Sequence, residues 1–179
     1  MEKKSNLAKN LLYIVIPVFV ILLSWFGWMV KQKYFPPKAI HYHAGFIVIK
    51  DNKVVDFSAI KYMHTKPCGN TISNDETPEE EQIEKAHLHD YIGDVVHVHR
   101  EGAMWKDLFT NLKYPIDYSK AQGYINGQKV TDFQNGVIRP YDSLVVFVGS
   151  HNDIQAGLKN AVTKAHVLLI EKRSDNCGT

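Results

Sequence analysis

The stretch AHLHDYIGDVVHVHREG, residues 86–102, constrains the fold more than any other part of the chain. It holds two His-x-His pairs, His87/His89 and His97/His99, and a third pair, His41/His43, stands in IHYHAGF. A spacing of two puts both side chains of a pair on one face of a β-strand, whereas residues two apart on a helix do not face each other. A hairpin that pairs Asp90 with Asp94 around Tyr91, Ile92 and Gly93 sets His89 opposite Val95, His87 opposite His97 and Lys85 opposite His99. Directly opposed residues point the same way. His87, His89, His97 and His99 then share one face, and Ala86, Leu88, Val96 and Val98 share the other. The second face is apolar throughout and belongs on a core, so the histidine face is expected to look outward.

The surrounding pattern predicts an α+β domain. AGFIVIKDNKVVDFS reads as a hairpin turning at Asp51-Asn52. Residues 61–76 carry the Pro, Gly, Asn and Ser of a loop. Thr77, Pro78 and Glu80 form a capping-box start for a short helix whose acidic residues face solvent. Met104, Trp105, Leu108, Phe109 and Leu112 make a helical stripe that Pro115 stops. GYINGQKV and DSLVVFVG follow as strands, and Asp153 caps a helix over about Ile154–Lys172. A hairpin, a helix and two further strands, with a turn before the last, are the order of a β-grasp (ubiquitin-like) domain. The His-rich hairpin would open it, with the 40–57 hairpin and the C-terminal helix as additions.

Imidazole is the commonest metal ligand, and neutral ring nitrogen suits copper and zinc among other ions. Two histidines at i and i+2 can converge on one ion while a neighbouring strand completes the ligand set. The candidate ligands are therefore His41, His43, His87, His89, His97 and His99. His64, Asp90, Asp94 and Glu101 are further ligands, or groups that orient a ligating histidine. His151 and His166 stand alone and read as structural. A catalytic zinc site has no support in a H-E-x-x-H signature. A cupin places its glutamate four or five residues after the second histidine, and here Glu101 follows His99 by two. No nucleophile elbow or phosphate loop is present. A net charge of +2 without basic clusters gives no footprint for nucleic acid.

Leu11 to Val30 is a run of twenty residues without a charge, the length of a membrane-spanning helix. Tyr13, Trp25 and Trp28 lie where interfacial anchors belong, and no A-x-A-like cleavage site follows. The sequence therefore predicts a cytoplasmic tail at 1–10, a transmembrane helix at 11–30, a stiff linker at 31–39 containing YFPPK, and an extracytoplasmic domain at 40–179. Two cysteines, Cys68 and Cys177, fit an exported domain with one disulfide. A reactive or metal-binding thiol is the alternative, and no C-x-x-C supports a thioredoxin-type site.

KYMHTKPCG, KAHLHDYIGDVVHVHREGAMWKDLF and the C-terminal DNCG together resemble a family of membrane-anchored proteins of small-genome candidate-phylum bacteria, with more distant archaeal relatives. The similarity covers most of residues 40–178. It implies an exported, His-rich domain behind one anchor. Members often carry the automatic label "protein-disulfide isomerase", a redox activity that two isolated cysteines do not support. The sequence reading is thus a membrane-anchored protein that binds, buffers or transfers copper or zinc. A thiol–disulfide or metal-dependent enzyme and a β-grasp interaction module are the alternatives.

Overall fold

The computed structural model describes residues 2–34, 40–65 and 76–173, in two compact units, Met1–Pro37 and Lys38–Thr179. The first unit is one helix, α1 (Glu2–Tyr34), with Pro17 inside it. Among the described residues no helix is long and apolar enough to cross a membrane. The expected transmembrane helix and membrane anchor at 11–30 are corrected accordingly. The single-pass placement and the extracytoplasmic location of 40–179 rested on that span and are corrected with it. The expected tail at 1–10 is helical from Glu2.

The second unit is built around β1 (Tyr42–Lys50). Ala44, Phe46 and Val48 line one of its faces and Ile47 and Ile49 the other, all of them buried. A strand that is apolar on both sides fits only at the centre of a covered sheet. β1 accordingly runs parallel to β6 (Ser143–Val148), from Gly45↔Ser143 to Lys50↔Val148. Its other edge is divided between two antiparallel partners. β2 (Lys53–Val54) takes Ile49 and Lys50, and β3 (Val95–Val98) takes Tyr42 to Gly45. Beyond β6 lie β4 (Gln122–Ile125) and β5 (Gln128–Val130), both antiparallel. The β1–β2 and β4–β5 connections are two-residue turns with both central residues left-handed: Asp51 and Asn52 at φ 49° and 64°, Asn126 and Gly127 at 52° and 79°.

The domain is thus α+β with a mixed sheet, but its strands are not assigned as the sequence suggested. The first strand of the 42–54 hairpin, expected as an addition, occupies the centre, and its second lies at an edge. The His-rich segment, expected as the opening hairpin, contributes one true strand, β3. His87 bridges His97, and Leu88 bridges Met63 instead. The helix expected over 154–172 is two helices, α4 (Ile154–Leu158) and α5 (Lys164–Glu171), the second restarted by the Thr163 side chain accepting from His166 N–H at 3.2 Å.

Two apolar layers clothe the sheet. One gathers Phe46, Val48, Val96, Val98, Leu144 and Val146 under α3 (Trp105–Asn111), whose Trp105, Leu108 and Phe109 are buried. The other gathers Ile47, Val95, Val145 and Phe147 under Val162, Val167 and Ile170 from the C-terminal segment. Gly45 allows this second layer to close, since a Cβ there would stand 2.5 Å from Val162 Cβ. A last helix, α2 (Pro78–Lys85), is capped as expected, with Thr77 and Glu80 exchanging hydrogen bonds, and delivers the chain to His87.

Candidate metal centre

Alternation and register bring the histidines together. His43 pairs with His97 across β1 and β3. His87 pairs with His97 on the far side of β3, with N–H···O bonds of 3.0 and 2.9 Å in both directions. His97 is therefore the middle of a three-strand row. His41 stacks on His99 with ring centroids 4.7 Å apart, and His87 stacks on the same ring at 5.2 Å. The His64 backbone N–H donates to Leu88 O, which sets its ring 4.9 Å from that of His87.

The histidine face is not outward. His43, His97 and His99 are at most 1 % exposed, His87 and His89 are buried, and only His41 is open to solvent. The cover could not be read from the His-x-His spacing, because it is distant in sequence. Glu171, at the end of α5, lies 3.6 Å from His43 Nδ1, and Tyr141 OH donates to its other oxygen at 3.2 Å.

Ligand nitrogens of His41, His97 and His99 lie within 4.8 Å of one another. Three nitrogens around a tetrahedral ion at about 2.0–2.1 Å stand about 3.3 Å apart, so this group could hold a metal ion after a small adjustment. His99 Nε2 is buried and has no hydrogen-bond partner among the described residues. A second convergence lies beside it. His43 Nε2 is 2.8 Å and His89 Nε2 is 2.9 Å from the same atom, His97 Nδ1.

Burial sets the protonation of these rings, because a low-polarity surrounding disfavours the charged form. It pushes His43 down to about 4, with the neighbouring His41 adding to the effect and Glu171 opposing it. Burial and then His41 push His99 down to about 3. His87 and His97 are lowered further, again by burial first. His43, His87, His97 and His99 are therefore neutral at physiological pH, the form that binds metal.

No family model, curated protein or solved structure matches this chain.

The remaining sequence candidates divide. Asp90 adopts a left-handed backbone in the turn after His89, and its carboxylate lies 2.6 Å from His89 Nδ1. His64 joins the cluster, with Nε2 3.9 Å from the buried Glu84. Asp94 instead pairs with His166 Nε2 at 3.0 Å. Glu101 is exposed, and its charge is felt by Tyr42. His151 accepts from the Gln122 amide at 2.8 Å. The expected disulfide partners, Cys68 and Cys177, lie outside the described residues. Sequence reasoning missed Glu84 and Glu171. Glu84 was legible in principle, since the helix that ends one residue later carries it toward His87. Glu171 had no local signal.

Proposed function

We propose that this protein binds a copper or zinc ion through a buried imidazole cluster, with His41, His97 and His99 as the primary ligands. The observation that carries the reading is the convergence of their nitrogens within 4.8 Å. All-nitrogen ligation favours these borderline ions over magnesium or calcium, which take oxygen. His41 is the exposed member of the three and is the point of entry. The other two are held in a preformed, dry position, which suits retention of the ion over rapid exchange. His43, His87 and His89 surround the three and extend the donor set.

The test is elemental analysis of the untagged full-length protein after incubation with cupric or zinc ion and removal of the excess. Stoichiometric metal in the wild type, and its loss in a H41A/H99A variant that remains folded by circular dichroism, supports the reading. Metal well below one equivalent in the wild type rejects it.

A further inference from the structure

The geometry points to a second metal position, formed by His43 Nε2, His89 Nε2 and His97 Nδ1, so that the His97 ring bridges two ions. This rests on the metal-binding reading above and goes beyond it in ion number and in the role of His97.

Two observations carry it. The first is the shared focus: His43 and His89 come from different segments, β1 and the turn-flanking stretch before β3, and both aim Nε2 at one nitrogen at 2.8 and 2.9 Å. A hydrogen bond explains one such contact readily. A neutral ring nitrogen has one proton or one lone pair in its plane, so a single Nδ1 serves two such neighbours poorly. An ion between the three nitrogens satisfies all of them once they separate to about 3.3 Å.

The second observation is behind the rings. His89 Nδ1 lies 2.6 Å from the Asp90 carboxylate, whereas His43 Nδ1 is 3.6 Å from Glu171, near it but not hydrogen-bonded to it. A carboxylate behind the distal nitrogen is the usual company of a ligating histidine, because it fixes the tautomer with Nε2 as the free lone pair and raises its donor strength. The Asp90 carboxylate touches a ring outside the His41–His97–His99 group, so it supports the second position and not the first.

His97 belongs to both groups. If Nδ1 goes to the second ion, Nε2 is the nitrogen left for the first, and the ring becomes an imidazolate. Its one N–H proton leaves to solvent, two metal–nitrogen bonds form, and no electron changes hands. Imidazole ligation of this kind is well suited to cupric ion.

The untagged full-length protein loaded with excess cupric ion and desalted gives the test, read as copper per chain by elemental analysis and as unpaired spins by electron paramagnetic resonance. The expected result is two copper ions per chain with a spin count well below the copper count, because an imidazolate bridge couples the two spins. D90N changes an exposed turn carboxylate and leaves the packed histidines in place. It weakens the second ion by about 10–100-fold, and the copper that remains gives a full signal. One copper per chain in the wild type, or two with an undiminished spin count, overturns the bridge while leaving the single-ion reading intact. No bound copper overturns the single-ion reading itself.

Discussion

At the scale of single residues, burial determines the chemistry of the histidines. In the unfolded chain a histidine titrates near 6.5, and in the fold His43 and His99 titrate near 4 and 3. Protonation therefore favours the unfolded state over the interval between those values. Without metal, stability is complete above about pH 6.5 and declines as pH falls toward 3. Urea midpoints measured from pH 7.5 to 4 should fall monotonically. Metal binding has the same sign, because protons compete for the ring nitrogens. Affinity from competition titration should fall as pH is lowered, and affinity that rises on acidification contradicts imidazole ligation. Glu171 raises the His43 value, so E171Q should move that titration below 4 by NMR. The pairing of His87 with His97 was legible from spacing alone, because strand alternation is a local rule. The dryness of the site was not, because His43 is covered by a residue 128 positions away in the chain.

At the scale of elements, the roof over the histidine face is short and locally fragile. α5 has eight residues and depends on its Thr163 cap. T163A should cost about 1 kcal/mol in chemical denaturation, and it should loosen the metal site as well as the helix. Gly45 lies two residues along β1 from His43, with Val162 seated on it. G45A should cost about 1–3 kcal/mol by overpacking, and the same denaturation series checks it. The hairpins at Asp51-Asn52 and Asn126-Gly127, the α2 capping box and the α3 stripe were readable because each is written in neighbouring residues. The C-terminal helix was read as one piece because its apolar stripe continues across the break. Thr163, the residue that restarts it, carries a capping signal that the stripe concealed. The apolar run at 11–30 was read on length and hydropathy as a membrane span, and the described helix does not meet that requirement.

At the scale of the whole domain, a bound ion would add ligand bonds between segments that the β1–β3 ladder already joins. His41 comes from the entrance to β1, and His97 and His99 from β3 and its end. Binding to the folded form alone stabilises it by about 2.7 kcal/mol when free metal is a hundred times the dissociation constant. The melting temperature should therefore rise with zinc and return with chelator. The strand order resisted sequence reading for a related reason. Which strand takes the centre depends on whether β6, almost a hundred residues later, pairs along the edge of β1, and on the layers that cover both faces of β1. Periodicity within a segment does not reveal that.

The parallel pairing of β1 with β6 also has a kinetic consequence. Gly45 waits for Ser143, so the first His-x-His pair is synthesised and exposed long before the strand that locks it in place exists. All three pairs are free to chelate during that interval, in combinations the native register forbids. Closure of so long a loop is already the slow part of such a topology. An ion present too early would hold the chain in wrong crosslinks, so refolding should be faster when cupric ion is added after folding than when it is present from the start. On the metal-binding reading, the order in which metal and chain meet becomes part of how this protein reaches its folded state.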